Sequence, residues 1–413
     1  MLRSSLQFEP AHDAEFFAAA PAKAAVFLLR GAEGTEPYVS KTSNLRRRMV
    51  RLLGAPEERT KRLNLRDRVQ GLEYSLVASD FEAQFCLYRT LREIFPSTYT
   101  DRLKLRFAPL VRLILENEYP RVAVTTRIQS LKSKSAYYGP FASRVAAEKF
   151  SNDALDFFLL RRCTDDLNPD PAFPGCIYSE MKMCLAPCFK GCTDERYAAE
   201  TASVREFFES GGRSLLRQIE IDRNIASENL EFEKAAELHT KIEKLKAVTQ
   251  QASELVRNIE RLDGVMVQPS QEAESVSLLK ISGGFLHDPV PFNVTPRLQV
   301  GQVKTPQSME ARLSEALAAV PVQKPASAYE WMEHLALLKR WYYRTSKTGE
   351  IFLTDDKGEL PYRRLVRGVS RVYKGEKPQA DLSETAGDYW RFRAAEGGVP
   401  DRPSEARGGL GEK

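Results

Sequence analysis

Apolar residues fall in short runs and helical stripes along this chain. AAVFLLR (24–30) has the length of a buried strand; the turn-rich GAEGTEP breaks it, and PYVS (37–40) follows as a second strand. Over Lys41–Arg68, Leu45, Met49, Leu52 and Leu53 recur at helical spacing and predict a helix. LEYSLVAS (72–79) reads as a strand, and FEAQFCLYRTLREIF (81–95) as an amphipathic helix stopped by Pro96. Residues 103–141 are strand-like, with RVAVTTRI and AYYGPF as the clearest strands, and 143–162 predicts a helix. From 195 to 258 only Gly211 and Gly212 interrupt a pattern of two or three helices. GVMVQ (264–268) and SVSLLKIS (275–282) form a strand pair, and the proline-bearing stretch 286–308 reads as loop. A helix at 328–344 and the short strand-like EIFLTDD follow. The last stretch, 376–413, is rich in Gly, Pro and charge and is expected to be disordered. The order predicts an α+β protein of several domains, and 413 residues suit two or three.

Composition excludes more than it identifies. Hydrophobics at 42% supply several small cores, and charged residues at 28% are ordinary, which excludes a wholly disordered or collagen-like chain. No window approaches 18 uninterrupted apolar residues, so a membrane span is not expected. MLRSSLQFEPAHDAEFFAAA lacks the charged-then-apolar order of a signal peptide, which predicts a cytoplasmic protein. The net charge of +5 is mild but uneven: residues 1–150 carry 25 basic and 16 acidic side chains. The four histidines (His12, His239, His287, His334) stand singly, and each reads as a surface or partly packed residue.

The densest basic stretch, Lys41–Arg68, holds ten Lys/Arg against three Asp/Glu. Lys41, Arg46, Arg47, Arg48 and Arg51 can line a helix entrance that faces phosphates, with Arg46, Arg47 and Arg51 as DNA contacts. A charge run without context is more often a solvated face. Here the surrounding residues AVFLLRGAEGTEPYVSKTSNLRRR resemble the core of a GIY-YIG nuclease: strand, turn, strand, Lys, then a helix bearing Arg. More specifically they resemble the N-terminal domain of the UvrC/Cho family of bacterial nucleotide excision repair. YYGPFAS (137–143) is similar to that family's Tyr-Phe-Gly-Pro-Tyr segment.

The resemblance implies a site in which two tyrosines, a lysine and an arginine surround a phosphate and one glutamate holds a divalent metal. Phosphodiester hydrolysis needs that metal on the phosphoryl oxygens and a cation against the developing charge. Carried across, the second tyrosine is Tyr38, the lysine Lys41 and the arginine Arg48. The first tyrosine falls on Phe27, the motif glycine on Ser40, and a later asparagine is missing near Thr98–Tyr99. The family's Glu-Ala-x-x-Leu-Glu reads Glu82-Ala83-Gln84-Phe85-Cys86-Leu87, so the metal ligand falls on Leu87. A leucine cannot bind a hard cation. The resemblance implies a degenerate nuclease domain over 18–100, a small mixed sheet with helices, that binds DNA without cutting it, with Mg²⁺ or Mn²⁺ involved only in an active enzyme. Its alternatives are an active endonuclease using Glu82 or Glu93 and a protein-interaction module alone.

Five cysteines cluster as Cys163, Cys176, Cys184, Cys188 and Cys192, with Cys86 apart as a core residue of its helix. Grouped thiols in a reducing compartment suggest a metal. Spacing alone leaves zinc and iron–sulfur open. The resemblance implies a [4Fe–4S] cluster on Cys163, Cys176, Cys184 and Cys188, within a linker region 101–195; Cys192 is a spare or a replacement for Cys188. NLEFEKAAELHTKIEKL (229–245) carries an apolar helical stripe. Its LEFEKAAEL run resembles the UVR motif, which implies a helical hairpin over 213–248 that docks on a UvrB-like protein. Leu230, Phe232, Ala235, Leu238 and Ile242 are the expected partner-binding residues, Phe232 the anchor. GVMVQPSQEAESVSLLKISGGFLHDPVPF (264–292) is similar to the opening strand pair of the family's RNase H-like nuclease, after which the likeness fades. Residues 260–375 are therefore expected to be a truncated extension, and no small-molecule substrate is expected.

Overall fold

The computed structural model describes residues 2–55, 63–164, 167–295 and 307–376. Three antiparallel sheets, each with its own helices, make an α+β protein. The first comprises β1 (Ser4–Gln7), β2 (Ala25–Gly31), β3 (Tyr38–Thr42) and β4 (Val69–Leu76), with α1 (Asp13–Ala19) and α2 (Leu45–Leu53) packed on it. Strand order is β1-β4-β2-β3. The expected mixed sheet is corrected to an antiparallel one. The α2 crossover lands β4 on the far side of β2, so β3 and β4 run the same way without touching. The helix predicted to run to Arg68 also ends early. Asn44 caps it, accepting from the Arg47 N–H at 2.9 Å, and Gly54 closes it where a Cβ would meet the Val50 carbonyl at 2.5 Å. Lys41 and Thr42 belong to β3. Residues 56–62 of that prediction lie outside the described residues.

Beyond β4, α3 (Asp80–Ile94) and the short α4 (Tyr99–Leu103) lead to β5 (Leu110–Ile114), β6 (Arg121–Thr125) and β7 (Ala136–Gly139). Central β5 is buried at every residue, as a strand covered on both faces must be. Next come α5 (Arg144–Leu155), α6 (Ile177–Glu180), α7 (Asp194–Ser210), α8 (Arg213–Glu228) and α9 (Phe232–Thr249). The helix expected over 143–162 stops at Leu155. Gly212, at φ +85°, lets α8 start against the end of α9, where a Cβ would lie 2.4 Å from Thr249. β8 (Arg257–Asn258) then pairs with β7, so the roots of α8 and α9 are fixed to the sheet. Phe150, Phe207, Phe208, Tyr138 and Tyr197 dominate this core.

The third sheet holds β9 (Gly264–Pro269), β10 (Ser275–Ser282), β11 (Phe285–Leu286), β12 (Val290–Asn293) and β13 (Glu350–Leu353). The stretch 286–308, expected as loop, contributes β12. Pro291 is tolerated there because β12 pairs on one side, with β10. The helices are α10 (Met309–Ala318), α11 (Ala328–Tyr342) and α12 (Tyr362–Lys374). One apolar cluster joins α3, α11 and the third sheet, from Phe81 to Leu353. Two histidines expected at or near the surface, His287 and His334, are 2% and 3% exposed. His334 Nδ1 accepts from the Leu286 N–H at 3.0 Å, and burial pushes its imidazole down to about 3. Of the expected disordered tail, Glu376 is described and 377–413 lie outside the described residues.

Candidate functional sites: a basic face, a cysteine cluster and a helical hairpin

Strand alternation divides the three nuclease-like positions between two faces of the first sheet. Tyr38 lies on the α2 side, where Arg48 Nη2 donates to its hydroxyl at 2.9 Å. Arg48 Nε is buried and has no hydrogen-bond partner. A guanidinium with an unfilled buried donor beside a phenol is suited to hold an anion. Lys41, three residues on, projects to the α3 side and donates to Asp80 at 2.7 Å. Arg344, beyond α11, binds the second Asp80 oxygen. Burial would push the Asp80 carboxyl up, but Lys41 and Arg344 outweigh it and hold the group below its usual range. Lys41 is thus already neutralised within the chain.

The neighbouring basic residues also differ. Arg46 donates from Nε to the Ala20 carbonyl at 2.8 Å and from Nη2 to the Ala18 carbonyl at 3.0 Å, closing the end of α1. Arg47 and Arg51 are exposed. Phe27 is fully buried, with its ring 6.1 Å from that of Tyr38. It stands opposite Ser40 on one side and Tyr74 on the other, which places the half-buried Tyr74 phenol on the same face. Sequence reading passed over Tyr74; the alternation of LEYSL was the available signal.

The carboxylate positions are used structurally. Leu87 is half-buried and packs against two apolar clusters. Glu82 and Ser79 form a reciprocal cap at the start of α3: the carboxylate accepts from the Ala78 N–H at 2.8 Å, and Ser79 Oγ accepts from the Glu82 N–H at 3.0 Å. Burial pushes the Glu82 carboxyl up. Glu93 is exposed near the other end of α3, about 9 Å along the axis from Leu87. Near the missing asparagine, Tyr99 starts α4 and its ring lies 6.3 Å from that of Tyr88.

Cys163, Cys176, Cys184 and Cys188 are all half-buried free thiols. Lys182, Ala186 and Lys190 adopt left-handed backbone that folds the loop back on itself. Sulfur atoms accept from neighbouring N–H groups: Cys184 Sγ from Ala186 at 3.2 Å, and Cys176 Sγ from the backbone of Ser179. The buried Arg161 donates to Cys163 Sγ at 3.4 Å. Burial first, and then the charges of Cys163, Cys176 and Cys188, push the Cys184 thiol up to about 11. Cys192 has other neighbours: burial and Asp194 push it up, and Arg196 opposes them. The four-thiol donor set is chemically suited to a soft metal. As they stand, no three His, Cys, Asp or Glu side chains among the described residues close into a metal-holding group.

The hairpin of α8 and α9 turns at Asn229–Glu231, with Leu230 at φ +62°. Its root is buried in the middle core through Ile219, Ile242, Leu245 and Val248. Its tip is apolar and exposed: Ile221 46%, Ile225 51%, Leu230 70% and Phe232 67%. Ala235 and Leu238 are half-buried between the two. Ile242, expected to face a partner, is 1% exposed and packs inside its own chain. Ile221 and Ile225, on the preceding helix, join the exposed face.

Residues 110–207 match the family model of the UvrC/Cho excinuclease middle domain, and residues 213–248 match the UvrB/uvrC motif. These stretches correspond to β5 through α7, with all five clustered cysteines, and to the α8–α9 hairpin. The UvrABC system protein C of Ruminiclostridium cellulolyticum is 28% identical over 233 residues, 56% of this chain and 38% of that protein. The match thus spans about two-fifths of the relative's length. No solved structure matches the chain.

Proposed function

The chain is a UvrC/Cho-family protein, and from that premise we propose that it holds DNA and a UvrB-type protein without cutting the strand. The observation that carries this reading is Leu87, packed into apolar clusters where the family's metal ligand falls. A hydrolytic centre of this kind needs a hard-cation ligand beside the phosphate. Glu82 is held as a helix cap and is not placed to substitute.

The cations support binding. Arg48, with Tyr38 beside it, takes a phosphate oxygen, and the exposed Arg47 and Arg51 extend the field along α2. Each phosphate neutralised releases counterions, so affinity falls steeply with salt. The exposed tip of α8–α9 presents Leu230 and Phe232 to the partner, flanked by Ile221 and Ile225; such a patch is stabilised by pairing. Cys163, Cys176, Cys184 and Cys188 would hold a [4Fe–4S] cluster once the loop draws its thiols together, with zinc as the other soft-metal occupant. The separate surroundings of Cys192 favour Cys188 as the fourth ligand. The cluster's role is to brace the loop between α5 and α7.

Fluorescence anisotropy on labelled duplex DNA tests the binding half. Affinity is expected to be the same in Mg²⁺ and EDTA and to fall about tenfold in Arg48→Gln. Binding that requires the divalent ion would contradict it.

A further inference from the structure

Helix α12 carries five basic residues, Arg363, Arg364, Arg367, Arg371 and Lys374, and no acidic one. Its sides have separate roles. Leu365, Gly368, Val369 and Val372 are buried on the third sheet. Gly368 is seated so closely that a Cβ would lie 2.1 Å from the Phe352 ring. Arg371 makes two hydrogen bonds to Glu350, at 2.8 and 2.6 Å, which fix the helix's rotation. Arg363, Arg364 and Arg367 are exposed, Lys374 has 61% of its side chain in solvent with the exposed Glu376 carboxylate a loose 3.9 Å from its Nζ, and Tyr373 is 46% exposed.

Residues 363, 367 and 374 lie within about 40° of one another around the helix, and form a stripe about 16 Å long. Folding alone gives no reason for this arrangement. Arg363 occupies the first turn, where the helix dipole disfavours cations, and Pro361 supplies no side-chain cap. Among the described helices, α2, the phosphate-facing helix of the proposed function, likewise opens on consecutive arginines with no acidic residue in its first turn. A membrane surface or a groove-binding partner would read a basic amphipathic helix through its apolar side. That side is committed to Phe352 and the sheet, which leaves a ligand read by charge along a line. A stripe of that length reaches about three successive phosphates of one strand, one for each of its three cations.

We propose that the outer face of α12 is a second binding surface for the sugar–phosphate backbone of nucleic acid, separate from α2. The proposal goes beyond the binding assigned to α2. The test titrates KCl against duplex binding by the full chain, by the triple variant Arg363→Gln, Arg367→Gln, Lys374→Gln, and by Arg47→Gln, Arg51→Gln. The triple variant is expected to lose about tenfold in affinity, with a log–log salt slope shallower by about 2 to 3. Arg363→Lys, Arg367→Lys is expected to keep the slope, and unchanged melting curves would show that the fold is intact. A triple variant that binds as the parent does, while the α2 variant weakens, overturns the proposal and leaves the α2 reading standing. The reverse result supports the proposal and overturns the α2 reading. Loss of affinity for phosphatidylserine vesicles or for UvrB alone, with DNA binding unchanged, also overturns it.

Discussion

At the scale of single residues, the first domain keeps cationic positions and fills carboxylate positions with structural roles. Leu87 is half-buried against the core, Glu82 is a cap, and Asp80 is clamped between Lys41 and Arg344. The most buried acid among these elements is Glu333 of α11, at 0% exposure. Its Oε2 accepts from the Tyr88 hydroxyl at 2.8 Å, tying α3 to α11, while its Oε1 is buried without a hydrogen-bond partner. Burial pushes its carboxyl up. Glu333→Ala would take the acceptor from the buried Tyr88 phenol and open a cavity, and is expected to cost about 2–4 kcal/mol in thermal or urea unfolding. Glu333→Gln keeps an acceptor and should cost less than half of that; an equal loss in both would mean that the charge matters more than the hydrogen bonds.

At the scale of elements, the hairpin separates two kinds of apolar residue that a linear pattern presents as one stripe. LEFEKAAELHTKI gives Leu230, Phe232, Leu238 and Ile242 together. Only the folded root, packed on α7, distinguishes buried Ile242 from exposed Phe232. Phe232→Ala is therefore expected to leave melting unchanged within about 0.5 kcal/mol and to weaken UvrB binding by at least tenfold. Ile242→Ala is expected to cost about 2–4 kcal/mol of stability. Equal melting of the two variants would contradict the division. The cysteine loop has a test of its own. Protein purified without oxygen should be brown, and Cys184→Ala should be colourless; a colourless, zinc-containing parent would assign the site to zinc. Strands such as β2 and β10 were legible as continuous apolar runs, buried on both faces over most of their length, and helices such as α3 and α11 by their length and apolar content. Periodicity overran α2, where a strand and a helix lie end to end and both carry apolar residues. It missed β12, whose Pro291 reads as loop unless its edge position is known. It also could not show that Tyr38 and Lys41 face opposite sides of β3, since the strand's bounds were needed first.

At the scale of the molecule, the excess of 25 basic over 16 acidic residues in the first 150 acquires specific addresses. Arg46 is spent on closing α1 and Lys41 on Asp80, so the charge that the proposed function assigns to DNA reduces to Arg47, Arg48 and Arg51. Residues 110–248, where the family models match, hold the cysteine loop and the hairpin, and both were legible as motifs. The first domain and the third sheet were legible mainly as patterns, and their side-chain partners emerge from packing across distant segments such as α3 and α11. The central claim is that the chain binds without cutting. It is tested most directly by incubating the full chain with UvrB, a lesion-bearing labelled duplex and Mg²⁺ or Mn²⁺, and resolving the strands on a denaturing gel. The strand is expected to remain intact at protein concentrations that bind it fully; a metal-dependent nick that disappears in Arg48→Ala would contradict the claim.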